Sequence, residues 1–277
     1  MGLRINTNVP SLTAQRMVDG TTRRLASNYN RLSSGERIYR SGDDAAGLAI
    51  SEKLKAHIRG SRQARRNAND SISLIQVAEG GLNEVTNIIV RMRELAVQAA
   101  SDTIGDLERG YTDIEFQLLK DEIDRIARST EYSGRKLLDG TSGQMEFQIG
   151  IKNDPVLDRI FYDGTDVDST LTNLGLSGET ISFKQGAQVT LDRLDRSLDQ
   201  ISGVRAMLGA IQNRATSVIN NLGIYEENLS AANSRIRDVD YAEETADLAR
   251  NNILLQAGIS VLAQANEYNK GTLKLLS

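Results

Sequence analysis

From Ile201 the apolar positions run Val204, Leu208, Ile211, Ala215, Val218, Leu222, Tyr225, Leu229, Ala232, Ile236 and Val239. The steps alternate three and four without a break, and that pattern admits little besides a long helix burying a narrow seam against partner helices. Upstream, Leu191, Leu194 and Leu198 continue the seam, but Leu198–Ile201–Val204 gives two consecutive threes. That is a stammer, expected to overwind the supercoil locally. At 1.5 Å per residue the segment makes a helix of about 70 Å, which needs partners along its length.

The first half supplies them. Leu82, Val85, Ile89, Met92, Ala96 and Ala99 form a second three-four seam inside a helical stretch from about residue 45 to 100. Phe116, Leu119, Ile123 and Ile126 form a third, separated from the second by the turn-rich Ser101–Asp106. The expected fold is mainly α, an elongated antiparallel bundle of long helices. Its seam centres on Leu82, Ile89, Met92, Leu208, Ile211, Val218, Leu222 and Leu229. Composition agrees: aromatics are only 4% with no tryptophan, and two prolines leave long stretches free to be helical.

Residues 139–188 change character. Gly, Asp, Ser and Thr become dense, and Met145, Phe147, Ile149 and Ile151 alternate strictly. Ile181 and Phe183 repeat the alternation, which predicts a small inserted β-hairpin subdomain.

The two ends form a pair of candidates. Residues 1–33 carry Ile5, Val9, Leu12, Val18, Leu25, Tyr29 and Leu32 at mostly helical spacing. In residues 238–277, Leu248, Leu255 and Leu262 stand seven apart, with Ile253, Ile259 and Val261 on other faces. Asp240 and Glu243 fit a capping box opening that helix. A helix apolar on several faces, ending in Leu273, Leu275 and Leu276, needs another surface to bury against. That surface is either the N-terminal segment or neighbouring copies.

No catalytic constellation emerges. Absent cysteine removes disulfides, thiolate metal sites and cysteine nucleophiles, and the single histidine, His57, excludes a multi-histidine metal site. His57 is read as a solvated surface residue. Asp43 and Asp44, just before an alanine-rich helix, fit N-capping better than metal binding. Arg59, Arg62, Arg65 and Arg66 form a basic stripe without interleaved aromatics, in a chain with 37 acidic and 33 basic residues and a net charge of −4. No nucleic-acid partner is expected, and no cofactor. No apolar run is long enough for membrane insertion, and the N-terminus lacks the apolar region of a secretory leader.

The residues resemble the bacterial flagellins. INTNVPSLTAQR, LSSGERIYRSGDDAAGLAISEKLKAHIRG and RNANDSISLIQVAEGGLNEVTNIIVRMRELAVQAASDT are similar to that family's N-terminal half. NNLGIYEENLSAANSRIRDVDYAEETADLARNNILLQAGISVLAQAN is similar to its C-terminal half. The resemblance implies a subunit that is secreted unfolded through the flagellar export apparatus and self-assembles into the extracellular filament for motility.

It implies the following organisation. Residues 1–33 and 238–277 are paired terminal helices of the inner filament core, and 34–44 a connecting spoke. Residues 45–138 and 189–237 are outer-core helices around the β-rich 139–188. With so short a middle, large outer domains are missing and the filament should be thin and smooth. Ile5, Leu12, Leu25, Leu32, Leu255, Leu262, Leu273, Leu275 and Leu276 would form the inner-core assembly surface. Implied partners are further copies in a homopolymer, an export chaperone, junction and cap proteins, and a vertebrate innate-immune receptor. For that receptor the motif VRMRELAVQ points to Arg91 and an exposed Leu95, with Glu115 added from the next helix.

Pro10 departs from the pattern, and is tolerated if the first helix begins close to it. The alternative is a hook–filament junction protein, which also resembles flagellin at both ends. Ala45 after the paired aspartates, where junction proteins more often carry proline, favours the filament. A catalytic insertion between 140 and 190 and an unrelated coiled-coil adaptor are the remaining readings.

Overall fold

The computed structural model describes residues 7–274, with side chains through residue 267. In chain order the elements are α1 (Val9–Ser34), α2 (Ala45–Ala99), α3 (Asp106–Ser129), β1 (Glu131–Tyr132), β2 (Arg135–Lys136), β3 (Gln144–Gln148), β4 (Arg159–Asp163), α4 (Lys184–Arg237) and α5 (Tyr241–Lys274). They form two compact units: residues 1–58 with 227–277, and residues 59–226.

Helix ends follow local chemistry. The Asn8 side chain accepts from the Ser11 amide at 3.1 Å, which starts α1 at Val9 and leaves Pro10 in the first turn, where no backbone donor is missed. Gly35, at φ 73°, ends α1 in the left-handed region and donates to the Arg31 carbonyl at 2.8 Å. Asp44 accepts from the Gly47 amide at 2.9 Å and so caps α2. Asp240 accepts from the amides of Ala242 and Glu243 at 2.8 and 3.3 Å, opening α5.

In the 59–226 unit, α4 buries Ala187, Leu194, Ile201, Leu208, Ala215 and Leu222, every seventh residue. This seven-residue repeat runs straight through the expected stammer. What shifts by one residue is the half-buried flank, from Leu191 and Leu198 to Val204, Ile211 and Val218. The opposing seam is on α2, where Leu82, Val85, Ile89, Met92, Ala96 and Ala99 are fully buried. Arg93 pairs with Asp195 at 2.6 Å and Arg62 with Glu226 at 2.6 Å. Arg62 to Arg93 on α2 matches Asp195 to Glu226 on α4 in the opposite direction, so the helices are antiparallel and in constant register. Phe116, Ile123 and Ala127 of α3 close the same core.

The middle differs from expectation in two respects. First, the helical stretch expected to reach 138 stops at Ser129, and β1 and β2 pair through Ser133 (φ 51°) and Gly134 (φ 78°). Both central residues of that tight turn have positive φ, the geometry a two-residue hairpin favours. Second, β3 pairs antiparallel with β4, Phe147 opposite Ile160, and not with the stretch around Ile181. Ile181 is buried in the main core and exposed Phe183 immediately precedes α4, which starts earlier than expected, at Lys184. The connecting chain is fastened down by the Tyr162 hydroxyl donating to Leu137 O at 2.8 Å. The ammonium of buried Lys120 also donates to Ser177 O and Glu179 O at 3.0 Å each.

Candidate assembly interface

In the unit formed by residues 1–58 and 227–277, α1 and α5 run antiparallel. The face α1 turns inward is Ser11, Ala14, Val18, Thr21, Leu25, Asn28 and Leu32, spaced alternately three and four. The α5 face is Glu244, Asn251, Gly258 and Ala265, seven apart, interleaved with half-buried Leu248, Leu255 and Leu262. This is a heptad seam built largely from small and polar residues.

Its polar members pair across the seam. The Asn28 amide donates to Glu244 Oε1 at 2.6 Å, and Asn28 Oδ1 accepts from Asn251 at 3.0 Å. Arg31 lies 3.6 Å from Glu244. Towards the ends, Asn8 donates to Ala265 O at 2.9 Å and the Ser11 hydroxyl to Asn266 Oδ1 at 2.8 Å. At Gly258 a Cβ would stand 3.0 Å from Val18 Cγ2, so glycine permits the close approach there.

The large apolar residues lie on the other side. Val9, Leu12, Met17 and Tyr29 of α1, and Ile253, Leu254, Ile259 and Val261 of α5, are exposed. Val9, Pro10, Met17, Leu254 and Val261 line a groove of about 660 Å³ along the pair, with Arg24 at its polar edge. Of the expected inner-core residues, Leu25 is buried, Leu32, Leu255 and Leu262 are half-buried, and Leu12 is exposed. Ile5, Leu275, Leu276 and the Leu273 side chain lie outside the described residues. Apolar content alone misplaces the α1 seam, because Leu12 and Tyr29 do not face α5 while Ser11, Thr21 and Asn28 do. The signal was the unbroken three-four spacing of Ser11 through Leu32, polar residues included.

Of the expected outer-core seam, Leu82, Ile89, Met92, Leu208 and Leu222 are buried, and Ile211, Val218 and Leu229 are half-buried. Arg91 is exposed and bonds Glu94 at 2.8 Å and Glu115 at 3.0 Å, which holds its guanidinium pKa above the ordinary value. Leu95 is only 2% exposed, so the exposed leucine expected beside Arg91 is instead a core residue. One turn apart, the two residues sit either side of the helix's solvent boundary. His57 is half-buried, with Nδ1 enclosed and unpartnered, rather than fully solvated. In the basic stripe, Arg62 and Arg65 both pair with Glu226, leaving Arg59 and Arg66 without an ion pair among the described residues.

Among the described residues no group of His, Cys, Asp and Glu could hold a metal, and no helix is long and apolar enough to cross a membrane. Paired terminal helices whose larger apolar side chains face outward are of the kind that suits a self-assembling structural subunit. Residues 5–143 match the bacterial flagellin N-terminal helical region, and residues 191–276 match the bacterial flagellin C-terminal helical region. The chain belongs to the bacterial flagellin family.

It is 45% identical to a flagellin of Halalkalibacterium halodurans over 98% of this chain and 99% of that one. It is 41% identical to a flagellin of Bacillus subtilis over 99% of this chain and the whole of that one. The crystal structure of Bacillus cereus flagellin matches 57% of this chain and 88% of its own, at 30% identity and a TM-score of 0.51. The chain is a structural subunit of the flagellar filament, serving motility.

Proposed function

We propose that α1 and α5 are the element through which the subunit enters the filament, their outward apolar faces burying against neighbouring copies as it grows. The observation that carries this is the division of residues on the pair: small and polar inside, with Met17, Ile253, Ile259 and Val261 outside. Full burial of one such side chain contributes about 1.5–3 kcal/mol. The pair therefore gains more from neighbours than from its own seam, and its ordering is coupled to assembly.

A chain whose ends order late suits secretion in an unfolded state through the export apparatus, with a chaperone on the C-terminal segment and cap and junction proteins at the filament's ends. The family resemblance supports these partners, and a cysteine-free chain forms no disulfide in transit. The role is structural rather than enzymatic.

The test is polymerisation of full-length Ile253→Asp/Ile259→Asp, and of variants in which Leu273, Leu275 and Leu276 are deleted or replaced by Asp. Assembly should be lost while the 59–226 unit keeps its helical signal and melting temperature. Normal filaments from both variants would overturn the proposal.

The exposed Arg91–Glu115 pair supports a second role, recognition of the dissociated monomer by a vertebrate innate-immune receptor. An exposed arginine is a common binding anchor, and Arg91→Ala should weaken binding by about 1–2 kcal/mol or more. Intact filament should bind poorly, since the same face can be covered by the next subunit. Wild-type monomer showing no binding at micromolar concentration, or binding untouched by Arg91→Ala, would remove this role.

A further inference from the structure

The Asp154–Pro155 bond crosses the tip of the β3–β4 hairpin and is the one place in the sequence where proline follows aspartate. Pro155, Val156 and Leu157 are exposed, the last two by 70% and 76%, so water reaches the bond. The pairing of these two residue types matters chemically. A proline nitrogen carries no amide hydrogen and leaves as a secondary amine, more basic than the primary amine any other residue would release. The aspartate carboxyl can reach its own main-chain carbonyl carbon by closing a five-membered ring, an attack that needs no approach from solution.

The turn holds these groups in place. Asp154 Oδ1 accepts from the amides of Val156 and Leu157 at 2.8 and 3.0 Å, while Oδ2 takes part in neither bond. The Asp154 carbonyl oxygen, at the bond itself, accepts from the Asp158 amide at 3.0 Å. Asp158 is fixed in turn. Its Oδ2 accepts from the Asp154 amide at 3.0 Å, and its carbonyl accepts from the amides of Ile149 and Gly150 at 2.8 and 3.0 Å. On the preceding side, Asn153 Oδ1 accepts from Arg159 at 2.7 Å, and Arg159 also bonds Glu146 at 3.0 Å. Lys152 completes the charged groups of the hairpin near the tip, and Arg59 stands next to Gly60, where α2 meets Ile151.

We propose that this turn cleaves its own backbone between Asp154 and Pro155 in mild acid, giving a two-chain subunit of residues 1–154 and 155–277. An Asp154 carboxylate oxygen attacks the Asp154 carbonyl carbon and forms a C–O bond, and the carbonyl electron pair moves onto its oxygen. The Asp158 N–H already points at that oxygen and stabilises the charge. The pair then returns, the C–N bond to Pro155 breaks, and the nitrogen takes a proton from solvent. Protonated again in acid, the released secondary amine does not attack back. What remains on Asp154 is a five-membered cyclic anhydride, which one water opens to the two carboxyls of a C-terminal aspartate. The net reaction consumes one water and needs no oxidant, metal or cofactor. The Val156 and Leu157 amides hold the Asp154 carboxyl below its ordinary range, so the attacking carboxylate persists in acid. Once the bond is cut, the five residue pairs of β3 and β4 keep the two pieces together. The activity is independent of how the terminal helices assemble.

The test compares full-length protein, native by circular dichroism, with the same protein unfolded in urea at about pH 4, near the ordinary carboxylate value. Mass spectrometry should show the two fragments appearing about tenfold faster from the native chain, because only the folded turn supplies the oriented carboxyl and the Asp158 donor. Equal or slower cleavage of the native chain would overturn the proposal, leaving only the acid lability of any such bond. The native advantage should shrink as the pH falls further and protonation of Asp154 releases the turn. An advantage that keeps growing would refute the turn's part. Asp154→Asn keeps an acceptor for the Val156 and Leu157 amides but has no carboxylate, and Pro155→Ala keeps the carboxylate but not the leaving group. Each should slow native cleavage about tenfold or more. Undiminished cleavage in Asp154→Asn would exclude the self-attack. Added hydroxylamine should capture the anhydride, so that fragment 1–154 ends in a hydroxamate. A fragment ending only in free acid would refute the anhydride.

Discussion

Asn28 and Glu244, 216 positions apart, are joined by a 2.6 Å hydrogen bond inside the α1–α5 seam, and both are buried. Asn28 also accepts from Asn251, so one asparagine ties α1 to two α5 residues about two turns apart. A buried amide at a seam position specifies register, since any slip leaves polar groups without partners. The polar seam thus pins the pairing of the two chain ends, while their outward faces remain for neighbours.

Asn28→Ala should weaken the α1–α5 pairing by about 1–3 kcal/mol, because it removes the partner of Glu244 Oε1 and of the Asn251 amide. Hydrogen exchange of assembled filaments is the measurement, since the pair orders on assembly: α1 amides should lose protection, with those of α2 between residues 74 and 99 unaffected. Unchanged protection of α1 would show that the network contributes nothing to pairing.

Burial along α4 predicts a gradient. Leu208 is fully buried, Leu222 nearly so, and Leu229 is half-buried. Leu208→Ala should cost about 2–5 kcal/mol in the 59–226 unit, as core truncations do. Leu208→Asp should abolish its cooperative melting, because a carboxylate would enter an apolar seam. Leu229→Ala should cost distinctly less. Thermal circular dichroism of the monomers decides this, and equal losses at the two positions would contradict the gradient.

Periodicity made the long helices legible, because a seam leaves a spacing that survives in sequence. It misled at Leu198–Ile201–Val204, where all apolar residues counted alike and the half-buried flank was merged with the buried repeat. It misled again in α1, where the seam residues Ser11, Thr21 and Asn28 are not apolar. The hairpin was legible in Met145 and Phe147, but its partner was sought at Ile181 although Ile160 and Tyr162 alternate in the same way. Leu95 could not be placed by its spacing from Arg91, since one turn of drift separates the exposed from the buried side. On α3, exposed Leu107, Tyr111, Ile114 and Leu118 also stand at helical spacing, hidden by the stronger core pattern of the opposite face.

Arg109 is the buried residue that sequence gave least reason to notice. Its guanidinium donates to Ala99 O at 2.9 Å and Ser101 O at 2.8 Å, and to Asp106 Oδ1 at 2.7 Å. It thereby satisfies carbonyls at the end of α2 that have no helical partner. Arg109→Met keeps much of the volume and removes the donors, and should destabilise the unit by about 2–4 kcal/mol through the stranded carbonyls. Arg109→Lys should recover only part of this, lacking the fork that reaches several acceptors at once. Urea unfolding curves give the comparison, and a lysine variant equal to wild type would refute the forked role.

The hairpin tip should loosen in acid. The amides of Leu157 and Val156 hold the Asp154 carboxyl below its ordinary value of 3.8, and the Thr165 hydroxyl and amide do the same for Asp163 at the far end of β4. A carboxyl with a depressed folded value contributes stability that is fully present above its unfolded value and is lost as pH falls through the folded one. The turn should therefore keep its form at about pH 5 and open progressively below the ordinary carboxylate value, without requiring the buried helical seam to melt at the same pH. The amide protons of Val156 and Leu157 report it directly, moving upfield as the carboxylate that accepts from them is neutralised. Asp154→Asn retains one acceptor oxygen and removes this residue's titration, so those two resonances should become nearly independent of pH. Identical titration of these amides in wild type and Asp154→Asn would assign the acid response to another group.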